Sequence, residues 1–187
     1  SDFLFARCTE GGEGNAFVTV IDHYRHHPEI AEVKSLGLPE GTEGAAAVKV
    51  TRHGGSDIVI QSDSIVDGVF GEVEFTGKVA VFNRERSKRM SLFMLEGTRF
   101  ESNELSVSLD CDSMEGEVVS FEGSTFQSDG TISNGSALIG QFVQVEDPEQ
   151  GCWTGYRIRS VQGKQITVKD FAFNGGTRYT IPKVFRL

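Results

Sequence analysis

An excess of β-branched residues is the feature that most constrains how this chain folds. Val, Ile and Thr together number 41, whereas Leu and Ala together number 18. β-Branched side chains lose rotamer freedom in a helix but pack well on a pleated surface. The sequence therefore predicts an all-β protein.

Alternation of apolar and polar residues supports this prediction. Apolar side chains occupy every second position in Ala47–Thr51, Asp57–Gln61 and Glu104–Leu109, a pattern typical of strands with one buried face. About a dozen short runs of this kind are separated by turn pairs such as Asn134-Gly135 and Gln162-Gly163. Many short strands with such turns predict an antiparallel β-sandwich, jelly-roll-like in architecture.

A polar stretch at Ser128–Ser136 interrupts the strand pattern, which resumes at Leu138. We therefore predict two parts, an antiparallel sandwich over residues 1–135 and a small C-terminal β-subdomain over residues 136–187. The subdomain is centred on a hairpin over residues 156–168. A unit of about 50 residues buries too little surface to be stable alone, so we expect it to pack on the sandwich.

The balance of charged residues indicates which classes of partner the chain can bind. Lys and Arg number 18 against 27 Asp and Glu, a formal net charge of −9. Phosphate backbones and anionic lipid surfaces attract clustered positive charge, so we predict neither a nucleic-acid nor a membrane partner. Positive charge is concentrated at Arg84, Arg86, Lys88 and Arg89. These four residues form either a solvated hairpin turn or a patch that binds an acidic polysaccharide.

Two aromatic residues are candidates for carbohydrate binding. Trp153 and Tyr156 follow a turn-like stretch over residues 147–151. A flat ring matches the apolar face of a pyranose, while nearby polar side chains take its hydroxyls. The alternative is that Trp153 covers the bottom of a small core at the start of its strand.

Clustered carboxylates raise the question of a cation. Asp110, Asp112 and Glu115 lie within six residues and are the weak candidates for a calcium site. Their spacing differs from that of an EF-hand loop, and acidic loops that keep a surface soluble are the alternative. We predict no cofactor, with a structural calcium left open.

Histidine and cysteine show no metal or redox motif. His23 and His27 would share one face of a strand, but a third metal ligand is not visible, so a solvated turn is the alternative. Cys8, Cys111 and Cys152 are widely spaced. We expect three buried thiols, and one disulfide with one free thiol is the alternative.

Catalytic motifs are missing from the sequence. It contains no Gly-x-Ser-x-Gly elbow, no His-Glu-x-x-His and no phosphate-binding loop. The chain starts at Ser1 with strand-like sequence, so we expect a fragment of a longer protein. We expect this fragment itself to be non-catalytic.

Apolar alternation around Gly-rich turns recurs in several segments of the chain. These segments are Phe3–Arg7, Glu10–Asn15, Ala16–Tyr24, Ile30–Val33, Gly77–Phe82 and Gly155–Val161. Over most of its length the chain thereby resembles the stretch of heparinase II/III-like polysaccharide lyases that leads into their C-terminal β-domain.

The resemblance implies a secreted or periplasmic parent enzyme, with an α/α toroid and a β-sandwich, that cleaves acidic polysaccharide by β-elimination. The family's catalytic Tyr and His lie upstream, and no position here matches their motifs or the family's metal ligands. The expected function is thus that of an accessory β-domain, which supports the upstream catalytic domain or contacts acidic glycan. The alternatives are a free-standing carbohydrate-binding module and an adhesion or structural domain of the cell envelope.

Overall fold

The computed structural model describes residues 29–42, 44–147, 151–169 and 176–187 in full, and the backbone of residues 3–5 and 19–21. This part of the chain is built of antiparallel strands joined by turns, with one 3₁₀ turn at Gly135–Leu138 and no α-helix. The all-β antiparallel prediction is confirmed. The strands are β1 (Phe3–Phe5), β2 (Thr19–Ile21), β3 (Ile30–Ser35), β4 (Ala46–Arg52), β5 (Gly55–Phe70), β6 (Val73–Glu85), β7 (Met90–Glu101), β8 (Ser106–Ser108), β9 (Ser113–Glu122), β10 (Thr125–Ser128), β11 (Phe142–Asp147), β12 (Cys152–Gln162), β13 (Gln165–Val168), β14 (Arg178–Pro182) and β15 (Val184–Arg186).

The chain divides into two compact units. Unit 1 comprises Ser1–Asp112 with Lys183–Leu187, and unit 2 comprises Ser113–Pro182. The boundary predicted after residue 135 falls inside unit 2. β9 and β10 belong with the later strands because they pair with β14 and β13, and such long-range pairing leaves no mark in the local sequence.

Unit 1 contains a sheet with the strand order β15-β7-β6-β5-β4-β3, and β8 pairs with β7. Its long strands bend back over their own core. Phe100 of β7 pairs in register with Phe75 of β6, yet its ring lies 5.1 Å from the ring of Phe82, seven residues further along β6. A straight strand would separate Phe75 and Phe82 by about 23 Å, so the two halves of these strands face each other. This arrangement gives unit 1 its β-sandwich character.

Unit 2 is a closed barrel of six strands in the order β10-β13-β12-β11-β14-β9. Strands β11 to β13 follow one another through hairpins, and β14 returns beside β11, which is a Greek-key arrangement. Closure pairs both edges of every strand and so removes exposed edges. The barrel core is formed by Phe126, Ile132, Val143, Val145, Ile158, Ile166, Val168, Tyr179 and Ile181.

Candidate functional site

The four basic residues predicted from the sequence lie at the hairpin between β6 and β7. Arg84 is close to the end of β6, and Arg86, Lys88 and Arg89 are exposed in the turn. Lys88 has a left-handed backbone with φ of 65°, and its N–H donates to the Glu85 carbonyl at 3.0 Å. The hairpin is thus a tight turn with exposed cations. Its four basic residues form two groups, Arg84 with Arg86 and Lys88 with Arg89.

Arg84 and Arg86 line an open depression of about 370 Å³, together with Lys49 and Arg52 of β4. We call this site the basic depression. Glu85 is the acidic residue among its lining residues, and the start of β5 completes the wall. Lys88 and Arg89, two and three residues further on, do not line it.

Strand register explains why residues so distant in sequence meet here. Arg52 pairs with Gly55 across the β4–β5 turn, and Gly55 pairs with Glu85 at the end of β6. A Cβ atom on Gly55 would lie 2.1 Å from the Arg84 carbonyl oxygen, so only glycine allows β6 to approach this closely. The turn between β4 and β5 therefore brings the end of β4 close to the end of β6, with Lys49 on the same face as Arg84.

Carboxylates hold three of the four cations in place. Arg84 donates to Glu104 at 2.7 Å and to Glu72 at 3.1 Å, and Lys49 also donates to Glu72, at 2.8 Å. The hydrogen bond to Glu104 raises the pKa of the Arg84 guanidinium, and the hydrogen bond from Lys49 lowers the pKa of Glu72. Arg84 and Glu72 are therefore both charged at neutral pH.

Arg52 points to the opposite face of the sheet, because it lies three residues from Lys49 and shares the face of Asp57 and Asn83. It forms a two-pronged contact with Asp57, at 2.7 Å from Nε and 2.9 Å from Nη2, and the Asn83 amide also donates to that carboxylate. This hydrogen bonding with Asp57 raises the pKa of Arg52. Arg86 has no ion pair within the described residues and remains available to an incoming anion.

Trp153 and Tyr156 lie on β12, on opposite faces of the barrel wall. Trp153 is 43% exposed, whereas Tyr156 pairs with the fully buried Val143 and packs against the barrel core. Side chains three positions apart on a strand point to opposite faces. The two rings therefore do not form the shared binding surface predicted from the sequence. Trp153 remains a candidate, and Tyr156 is a core residue.

The predicted metal candidates are not assembled. In the part of the chain that the structure describes, no three His, Cys, Asp or Glu side chains are placed to hold one metal ion. Asp110, Asp112 and Glu115 are thus not gathered into such a group in the described residues. The cluster His23–His27 lies outside the described residues.

The cysteine prediction is wrong for two of the three residues. Cys111 and Cys152 are both exposed, not buried, and the Cys111 sulfur lies 3.6 Å from Lys183 Nζ. Cys8 lies outside the described residues. As for membrane insertion, no helix among the residues described is long and apolar enough to cross a bilayer.

Sequence reasoning missed Lys49 and Arg52, the β4 half of the basic depression. Lys49 sits in a run of small apolar residues and carried no separate signal. The one usable signal was the turn His53–Gly54, which brings the end of β4 beside the start of β5. Nothing local indicated that the next hairpin would end at the same place.

No protein-family model matches this chain, and no curated protein matches it.

Proposed function

We propose that this chain is a non-catalytic accessory β-domain of a heparinase II/III-like polysaccharide lyase, and that it contacts acidic glycan. The basic depression is the observation that carries this proposal. It gathers the side chains of Lys49, Arg84 and Arg86 in a chain whose net charge is −9. The family and the secreted or periplasmic location rest on the sequence resemblance.

The chemistry of the depression suits the carboxylate or sulfate of an acidic sugar. A guanidinium carries five N–H donors in a planar fork that matches such anions. Arg84 uses two nitrogens in its ion pairs, so it retains donors for a ligand. Arg86 contributes its whole fork.

The same chemistry favours contact over catalysis. β-Elimination needs a group that removes a proton near neutral pH. The raised pKa values of Arg52 and Arg84 keep both guanidinium groups protonated, so they stabilise negative charge but do not act as bases. In this proposal the proton transfer belongs to the upstream catalytic domain.

Replacing Arg86 with Gln tests the proposal. We expect Arg86→Gln to weaken binding of trigalacturonate about fivefold to tenfold, because one charge-assisted contact is lost. Isothermal titration calorimetry at about 50 mM ionic strength, where charges are little screened, measures this change. The matched control is Arg89→Gln, which removes the same charge three residues away, outside the depression, and is expected to alter binding less than twofold. Equal losses in the two variants, or no binding by the native chain, would refute the proposal.

A free-standing carbohydrate-binding module is the second candidate function, and the exposure of Trp153 favours it. The two candidates differ in affinity. A free-standing module must retain its glycan unaided, so the isolated chain would bind with a micromolar dissociation constant. An accessory domain adds a weak contact to a polysaccharide that the catalytic domain already holds. A millimolar dissociation constant is then sufficient.

A further inference from the structure

We propose that Trp153 and Phe142 on the barrel of unit 2 form an aromatic platform that binds an uncharged pyranose chain. The aromatic platform consists of these two rings with Gly155 and Gln144 between them. The inference goes beyond the proposed contact with acidic glycan, because it concerns a different site and a different ligand. It assigns to unit 2 a ligand class that the basic depression of unit 1 does not suit.

Strand register places the platform residues on one face. β11 and β12 pair in the register Phe142 with Arg157, Gln144 with Gly155, and Glu146 with Trp153. Residues that pair directly point to the same side of a sheet, and so do residues two apart. The intervening Val143 and Val145 are buried in the barrel core, so the platform residues face outward.

Both rings are unusually exposed for aromatic side chains. Phe142 is 57% exposed and Trp153 is 43% exposed. Arg178 lies over the indole, 5.5 Å from its centroid, and is itself held by Glu146 at 2.8 Å and 3.1 Å. This stacking restricts the indole in advance, which lowers the entropy cost of binding a ligand there.

Gly155 leaves the floor between the rings open. A Cβ atom added there would find no atom closer than Phe142 Cδ1, at 3.9 Å. Phe142 pairs with Arg157, four residues from Trp153, so the ring positions lie about 13 Å apart along the strands. A surface of this length spans more than one pyranose ring, and the absent side chain at Gly155 lets a chain lie flat across it.

Polar groups beside the rings suit hydroxyls. Gln144 pairs with Gly155 on one side and with Thr180 of β14 on the other, so an amide lies between the two rings and a hydroxyl lies next to it on β14. Amides and hydroxyls both donate and accept hydrogen bonds, as sugar hydroxyls do.

The charges around the platform argue for an uncharged ligand. Glu146 is paired with Arg178, and Arg157 donates from Nε to the Gly140 carbonyl at 3.2 Å. Glu115 and Glu117 lie on β9 in register with Thr180 and Arg178. Among the described residues around the platform, two cations and three anions leave no surplus positive charge for a uronate or a sulfate.

The sharpest test is Gly155→Val. The backbone at Gly155 is not left-handed and the space is open, so valine should fold without strain in this strand. Its outward side chain would stand between the rings. We expect Gly155→Val to keep the native melting temperature and to weaken binding of cellohexaose at least tenfold, measured by isothermal titration calorimetry.

Trp153→Ala and Phe142→Ala are the second pair of variants, and each is expected to weaken cellohexaose binding by about tenfold. The control is Phe121→Ala, which removes another 43% exposed ring from the same barrel and should leave binding unchanged. Cellohexaose binding that survives all three platform variants would overturn the proposal, as would no cellohexaose binding by the native chain.

Trigalacturonate separates this inference from the proposed function. Loss of trigalacturonate binding in Arg86→Gln but not in the platform variants supports the division of ligands between the two sites. Native binding of trigalacturonate without cellohexaose binding would overturn the platform and leave the basic depression standing. Loss of trigalacturonate binding in the platform variants would overturn the assignment of an uncharged ligand.

Discussion

Gly77 and Gly97 show how single residues shape the sandwich of unit 1. The two glycines pair across β6 and β7, beside a register shift at Thr76–Gly77. A Cβ atom on Gly77 would lie 2.6 Å from Gly97 Cα and 2.6 Å from the Phe75 ring. The missing side chain therefore allows the two long strands to approach closely where they bend over the core.

We expect Gly77→Ala to destabilise the protein by about 2 kcal/mol, because the added methyl group overpacks this crossing. Urea denaturation measures the change. Gly54→Ala is the control, since nothing lies within 4 Å of a Cβ atom there, and it should change stability by less than about 0.5 kcal/mol. Equal effects of the two substitutions would contradict this account of the bend.

In the β9–β10 hairpin, the position of a residue along its strand decides whether its side chain is buried. Phe121 pairs directly with Phe126. Phe126 is 1% exposed and its ring lies 5.3 Å from that of Tyr179, whereas Phe121 is 43% exposed near the turn. Two side chains on the same face of a hairpin are both buried only where other strands of the barrel cover that face along its whole length.

Phe126→Ala is accordingly expected to cost about 3 to 5 kcal/mol, because it opens a cavity in the barrel core. Phe121→Ala removes the same ring and should cost less than about 1 kcal/mol, since water already reaches that side chain. Thermal unfolding followed by circular dichroism compares the two. A larger loss of stability in Phe121→Ala than in Phe126→Ala would contradict this placement of the barrel core.

Over the whole molecule, paired carboxylates link stability to pH in both units. Hydrogen bonding to Lys49 lowers the pKa of Glu72 in unit 1, and hydrogen bonding to Arg178 lowers that of Glu146 in unit 2. A carboxyl whose pKa is lower in the folded state stabilises the fold above its unfolded pKa, near 4.3. That contribution is lost as the pH falls through the folded pKa.

Glu72→Gln tests this linkage. We expect the variant to have a lower urea midpoint than the native chain at pH 7. The difference in urea midpoint between the two proteins should disappear as the pH falls below about 4, because the Glu72 carboxyl of the native chain is then protonated and uncharged. A gap that stays constant from pH 7 to pH 3 would show that Glu72 contributes through its shape and not its charge.

The sequence alone determined the β character of this protein. Alternation with period 2 and the many β-branched residues are local properties, and they place β4 at Ala46–Arg52 and the hairpin turn at Gln162–Gly163 much as predicted. The same alternation already held the information that Trp153 and Tyr156 face opposite ways, since an odd spacing on a strand changes the face.

Only the tertiary structure decided which strands pair and therefore which side chains meet. Any strand of suitable pattern can pair with many others, and the choice depends on long-range packing that no local segment encodes. For this reason the tertiary structure alone revealed the closed barrel, the proximity of Lys49 to Arg84 and Arg86, and the common face of Trp153 and Phe142. The chemistry of the individual residues is readable in the chain, but their assembly into sites follows from the fold.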